Sequence, residues 1–294
     1  MGRRVSDTHA LRPRAEALGQ ALPPLIASAE HLAATVILGE HGRRRAGMGD
    51  EFWQYRPAHE GDSARMIDWR RSAKSDAHFV REREWQAAQS VVLWADTSRA
   101  MAFSGDPARA PKADRARLLA LALAVLLLRA GERVGLAGED VPPRSGRPQL
   151  LRLAEALGAE APADYGIPES RGLVAHGRMV LFSDFLGDLA GIEAAMARAA
   201  DRDIRGALVQ VLDPAEEAFP FDGRTIFESM GGSLRYETRR AGELRARYQE
   251  RLAERKDRLA TLARASGWHW HCHHTGQGAQ PALLWLYRAL ERVS

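Results

Sequence analysis

The sequence predicts an α/β fold built on a doubly wound, mainly parallel sheet, and two observations carry that prediction. Short, nearly continuous apolar runs such as SVVLWA (Ser90–Ala95) and RGALVQVL (Arg205–Leu212) alternate with segments of helical periodicity. A strand that is apolar on both faces is covered on both faces, which is the condition of a parallel sheet wrapped by crossover helices. The chain also has 294 residues at 45% hydrophobic content, enough for one full core and a modest appendage.

The elements follow in order. Leu11, Leu18, Leu22, Leu25, Ile26, Leu32, Val36 and Ile37 give a broadly helical pattern, interrupted at Pro23-Pro24. A basic, glycine-rich loop (Gly39–Gly49) leads into GDEFWQYRPAHEGDSARMIDW (Gly49–Trp69). That stretch is too dense in charge, aromatic and turn residues for an ordinary helix or strand. Phe79–Arg83 reads as a strand. Strand Ser90–Ala95, helix Arg115–Ala130, strand Arg133–Ala137 and helix Leu150–Leu157 come next. Strand Arg178–Phe182, helix Leu189–Ala200 and strand Arg205–Leu212 repeat the pattern. Two short alternating runs around Gly231-Gly232 predict a β-hairpin over residues 221–238. Helix Glu243–Ala265, strand Trp268–His273 and helix Pro281–Arg292 close the chain.

Composition removes several classes of function. The charge is +4, from 42 basic and 38 acidic residues, and the excess is scattered. Nucleic-acid binders gather Lys and Arg on one face. In Glu243–Ala265 they alternate with Glu and Asp, the pattern of a solvated, ion-paired helix, so no nucleic-acid partner is expected. The most apolar run, Leu118–Leu128, ends at Arg129, short of the roughly 18 residues of a membrane span. The first twenty residues have no apolar signal-peptide core, and the single cysteine, Cys272, fits a reducing compartment. A cytoplasmic protein without a membrane span is expected.

In an open parallel sheet, ligands gather beyond the C-terminal strand ends. Three strands end in carboxylates there: Asp96, Asp184 and Asp213. Asp96 and Ser98, two apart in an extended turn, can face one cation, with Ser183 and Asp184 approaching from a neighbouring strand. Such oxygen ligands suit Mg²⁺ or Mn²⁺. The same groups are also favoured helix caps, and both readings stand. On the strand WHWHCHH, alternation puts His269, His271 and His273 on one face and Trp268, Trp270 and Cys272 on the other. A solvated edge strand is the simpler reading, with zinc its rival. Gly-x-Ser-x-Gly and Walker loops are absent.

The charged segment carries a resemblance. Gly47, Gly49, Glu51 and Phe52, then Arg56, Gly61, Asp62, Arg65, Ile67, Asp68, Trp69 and Arg70, then Ser72 and Ala73, resemble the signature of the DUF58 family, with Lys74 in place of an arginine. The resemblance covers about residues 40–290. It implies a von Willebrand factor A-like domain over 89–294 with the hairpin inserted near 221–238. Residues 1–88, an N-terminal helix plus the signature segment, are then expected to pack on that domain. The family's adhesion-type metal site has the form Asp-x-Ser-x-Ser. Asp96 and Ser98 match its first two ligands, Ala100 replaces the third, and Asp184 matches the later aspartate. The site is degenerate, and Arg99 is a candidate to stand in for the ion. Glu51, Phe52, Arg56, Asp62, Arg65, Asp68, Trp69 and Arg70 are expected to form a partner-docking surface or a structural clamp, with Trp69 and Phe52 beneath a charged lattice.

The resemblance further implies a non-enzymatic adaptor that partners a MoxR-type AAA+ ATPase, and other A-domain proteins, in chaperone-like assembly or metal insertion. Weak Mg²⁺ or Mn²⁺ binding at Asp96, Ser98 and Asp184 would accompany that role. The alternative is a metal-dependent phosphoester hydrolase using Asp96, Asp184 and Asp213.

Overall fold

The computed structural model describes residues 24–36, 52–58, 67–73, 78–83, 88–159, 161–229, 232 and 235–290. The chain forms two compact units, Glu40–Ala88, and Met1–Gly39 together with Gln89–Ser294.

In the larger unit, five strands form one parallel sheet: β3 (Ser90–Ala95), β4 (Arg133–Leu136), β5 (Arg178–Ser183), β6 (Arg205–Leu212) and β9 (His269–His274). Their spatial order is β4-β3-β5-β6-β9, and every neighbouring pair is parallel. The predicted doubly wound α/β architecture is therefore what the chain adopts. Side-chain alternation divides the core into two layers. Val91, Leu93, Val180, Phe182, Ala207 and Val209 face one way; Val92, Met179, Leu181 and Leu208 face the other.

Helices cover both faces. On the first lie α3 (Lys112–Arg129), α4 (Arg147–Gly158) and α8 (Ala279–Leu290). Helix α1, residues 24–36, joins them through Ala29, Ala33 and Val36, the i, i+4, i+7 spacing of one helical stripe. On the second face lie α5 (Ala190–Ala200) and α7 (Arg245–Ala265). The unbroken apolar run from Leu119 to Leu127 is buried along its whole length, as a helix between sheet and outer helices must be. Helix α3 begins at Lys112, directly after Pro111, three residues before the start predicted from apolar periodicity. No helix among the described residues is long and apolar enough to cross a membrane.

The predicted hairpin is present: β7 (Thr225–Glu228) pairs antiparallel with β8 (Arg235–Thr238). Gly232, at φ 72°, adopts in the connection a left-handed conformation that glycine takes without steric cost.

In the smaller unit, β1 (Phe52–Pro57) pairs antiparallel with β2 (Phe79–Arg83), with a bulge between Phe52 and Gln54. The short helix α2 (Trp69–Ser72) is tied in by Ser72, whose Oγ donates to the Asp68 carbonyl at 2.8 Å and accepts from the Phe79 amide at 2.9 Å. Trp69 departs from expectation. It is 57% exposed and meets the His78 ring edge-on at 5.5 Å.

Candidate functional site

Because β4 is added on one side of β3 and β5 on the other, the direction in which strands are added to this parallel sheet reverses between β3 and β5. Crevices form at such switch points, beyond the C-terminal strand ends. The sequence puts Asp96, Thr97 and Ser98 after β3 and Ser183-Asp184 at the end of β5, and the fold brings these two segments together. Asp96, Ser98 and Asp184 are all at most 2% exposed.

Every oxygen of the two carboxylates has a partner. Asp96 Oδ1 accepts from the Ser98 amide at 2.9 Å, and Oδ2 accepts from Ser183 Oγ at 2.7 Å. Asp184 Oδ1 accepts from the Leu186 amide at 2.9 Å. Its Oδ2 accepts at 2.7 Å from the ammonium of Lys112, the first residue of α3. Lys112 is 1% exposed and also donates to Glu216 Oε1 at 2.5 Å, with its Nζ 5.6 Å from the Phe103 ring centroid. Burial alone would lower the Lys112 pKa; Asp184 and Glu216 outweigh it and hold the group above its ordinary value, hence charged. Burial pushes Glu216 up, with Lys112 pulling the other way.

Glu216 is aimed by a second device. Asp213 caps the short helix α6 (Pro214–Ala218), accepting from the Ala215 amide at 2.9 Å, and Glu216 Oε2 accepts from the Asp213 amide at 2.8 Å, completing a capping box. The Asp213 carboxylate also accepts from Arg109 Nη1 at 3.0 and 3.2 Å and from Thr275 Oγ1 at 3.1 Å. Burial would raise its pKa, but these donors hold it below the usual carboxylate value. The capping alternative is thus realised at Asp213. A polar layer runs from Asp96 through Ser183, then from Asp184 through Lys112 to Glu216, Asp213 and Arg109, across the ends of β3, β5 and β6.

Several site expectations are revised by this geometry. Arg99 does not stand in for an ion, since its side chain is exposed; the internal cation is Lys112. Asp96, Asp184 and Asp213 do not converge. Among the described residues, the one group of three acidic, His or Cys ligands close enough to share a metal lies elsewhere. Nor do the donors fit Mg²⁺ or Mn²⁺, which take six oxygens, the smaller at 2.0–2.1 Å. Asp184 Oδ2 is already held by an ammonium, both Asp96 oxygens are engaged, and Ala100 offers no ligand atom. Among the described residues, Ser98 Oγ and the Oε1 of Gln210, whose amide nitrogen donates to the Asp184 carbonyl at 2.9 Å, are buried atoms at this site without a partner. Lys112, Glu216 and Arg109 were not identified from sequence. The spacing Asp213-Pro214-Ala215-Glu216 signals the capping box, but nothing local marks a lysine at a helix start as buried.

Residues 161–167 roof this layer. The Ala161 amide donates to the Thr97 carbonyl at 3.1 Å, while the Arg99 and Ala100 amides donate to Ala163 and Asp164 carbonyls at 3.0 Å. Gly166 lies against Asp96: a Cβ there would stand 2.8 Å from the Asp96 carboxyl carbon and 3.0 Å from the Trp94 ring. The roof displays Tyr165 (43% exposed) over Gly187 and Ile167 (63% exposed) over Gly191. Gly166→Ala is expected to lift the roof, costing about 1–3 kcal/mol as overpacking does, with faster proteolysis near residues 160–170. Unchanged melting and cleavage would show that the roof does not depend on this close approach.

Of the signature residues, Glu51, Asp62 and Arg65 lie outside the described residues, as do the side chains of Phe52 and Arg56; Arg70, like Trp69, is exposed.

Fold and site together define a doubly wound α/β protein whose switch-point crevice is filled by its own ion-paired side chains and roofed by a loop. A family model described as "Protein of unknown function DUF58" matches residues 54–258, and the chain belongs to that family. It is 26% identical over 212 residues to uncharacterized proteins of Mycobacterium bovis and Mycobacterium tuberculosis, covering 66% of this chain and 64% of theirs. The chain thus spans less than two thirds of those relatives' length. Among solved structures, it is similar to a conserved hypothetical protein, BatB, from Bacteroides thetaiotaomicron, at TM-score 0.41 and 14% identity over 69% of this chain and 98% of that one. An aerotolerance-related membrane protein from Bacteroides fragilis matches over the same shares at TM-score 0.40 and 14% identity.

Proposed function

We propose that this protein is a non-enzymatic adaptor that docks a MoxR-type AAA+ ATPase in chaperone-like assembly or metal insertion, using the roofed end of its sheet. The observation that carries this reading is the closed switch point. Where an enzyme of this architecture keeps a ligand crevice open, this chain fills the space with Lys112, Asp184 and Glu216 and sets Tyr165 and Ile167 outward above them. Exposed aromatic and aliphatic pairs on a rigid base are the usual anchors of protein interfaces. Beside the roof, a cleft of about 250 Å³ lined by Trp94, Thr97, Ala137 and Leu157 can receive a partner side chain. Trp69 and Arg70, exposed on the smaller unit, are assigned a second contact. The internal ammonium supports docking that needs no divalent ion. The hydrolase alternative gains no support, because its three carboxylates are each engaged by protein donors.

The test is a tagged pull-down from native lysate, with Mg²⁺ and with EDTA, read by mass spectrometry. An AAA+ ATPase should be recovered under both conditions, and Tyr165→Ala/Ile167→Ala should cut its recovery at least tenfold, since one anchor is worth about 2 kcal/mol. No AAA+ ATPase in either sample, or undiminished recovery by the double variant, would sink the reading.

A further inference from the structure

We propose that Glu217, Cys272 and His274 form a zinc-binding site at the C-terminal end of β9, with its fourth ligand position open. Alternation on β9 places Cys272 and His274 on one face, two residues apart. The opposite face is spent otherwise: His271 stacks on Trp285 at 4.7 Å, His269 meets the same ring edge-on at 6.4 Å, and His273 is buried against Arg115. Zinc is therefore assigned to the face carrying the cysteine, and the third ligand comes from a different element. The capping box that turns Glu216 inward leaves its neighbour Glu217 pointing toward β9.

The distances are those of a nearly assembled site. Glu217 Oε2 lies 2.7 Å and Cys272 Sγ 3.9 Å from His274 Nε2, and all three ligand atoms lie within 4.8 Å of one another. Tetrahedral zinc with ordinary bond lengths holds such pairs about 3.4 Å (N···O) and about 3.6 Å (S···N) apart. Shifts below about 1 Å convert one arrangement into the other, and the three side chains are only half-buried. One thiolate, one imidazole and one carboxylate are a zinc donor set; a sulfur ligand disfavours Mg²⁺ and Ca²⁺.

Two groups compete with the metal. The ammonium of Lys256 is paired with Glu217, and burial raises the Cys272 thiol above its ordinary pKa even though Lys256 pulls it down. Zinc must displace the thiol proton and free Glu217 from Lys256. Lys256, 21% exposed, can swing to solvent when it does.

The test is cobalt substitution in the full chain. Co²⁺ should produce a thiolate-to-metal charge-transfer band that one equivalent of Zn²⁺ abolishes. Cys272→Ser should remove the band, His274→Ala should weaken zinc binding at least tenfold, and Lys256→Met should tighten it. Circular-dichroism melts without metal identify any variant that fails to fold, and Lys256→Met gives an answer independent of such losses. No charge-transfer band in the wild type, zinc binding unchanged in Cys272→Ser, or binding unimproved in Lys256→Met would each overturn the site. The cluster would then be only a Lys256–Glu217 ion pair hydrogen-bonded to His274.

Discussion

Lys112→Met is expected to destabilise the protein by about 3–5 kcal/mol at pH 8, the usual cost of removing one partner of a buried ion pair. Methionine fills similar space, so the loss is electrostatic: Asp184 and Glu216 remain in the interior with no counter-charge. The pH dependence separates this cause from poor packing. Deprived of the ammonium, Glu216, which burial already pushes up, binds its proton more tightly in the folded than in the unfolded chain. The penalty is then fully present at alkaline pH and shrinks as pH falls and Glu216 is neutralised. Urea unfolding at pH 8 and pH 5.5 should show the gap between wild type and variant narrowing by more than about 1 kcal/mol. Lys112→Met/Glu216→Gln should recover part of the loss at pH 8, because the two positions share one interaction. A single variant within about 1 kcal/mol of wild type at pH 8 would refute the assignment of Lys112 as the internal charge of this layer.

Acid should destabilise the wild type through His273. Its side chain is buried, and Nε2 lies 3.0 Å from Arg115 Nη1, which has only protons to offer, so the ring accepts there and is neutral. Burial is the main reason its pKa is depressed to about 4, the Arg115 charge adding to it. In the unfolded chain this histidine takes up a proton near pH 6.5. Between that pH and about 4 the unfolded state binds more protons than the folded one, so stability falls as pH falls through that window. At 1.36 kcal/mol per pKa unit, the full loss from this group is about 3 kcal/mol. His273→Gln can still accept from Arg115 but does not titrate. Its unfolding free energy should decline less than that of wild type between pH 7 and 4.5, and parallel curves would remove His273 as the cause.

The sheet was legible because its central strands are short, apolar on both faces and bounded by turn residues, so Ser90–Ala95 and Arg205–Leu212 announce their burial locally. The positions of Asp96, Asp184 and Asp213 were legible for the same reason, since strand ends locate them. Their chemistry was not. The partner of Asp184 is Lys112, 72 residues away, and that of Lys112 is Glu216, 104 residues away, and no periodicity links such positions. A lysine in the first turn of a helix reads as solvated, and only the assembled crevice makes it internal. Residues 161–167 likewise have no repeating pattern; their shape depends on the backbone groups of Thr97, Arg99 and Ala100 that they bond. On β9 the alternation is legible in the sequence, but Glu217 reaches Cys272 and His274 from outside that strand.

The strand order also bears on how the chain is made. On the ribosome, β3, β4, β5 and β6 can pair as they emerge, but β6 receives its second neighbour only from β9, after α6, β7, β8 and α7 have been synthesised. Until then the edge of β6, buried from Gly206 to Leu212 in the finished protein, offers unpaired backbone and apolar side chains to any other nascent chain. Helix α8, which supplies Leu283 and Leu286 to the same core, follows β9. The period of greatest aggregation risk therefore lies between the synthesis of β6 and that of β9. A message truncated before β9 would yield a polypeptide with a sticky open edge, a substrate for quality control instead of a smaller working protein.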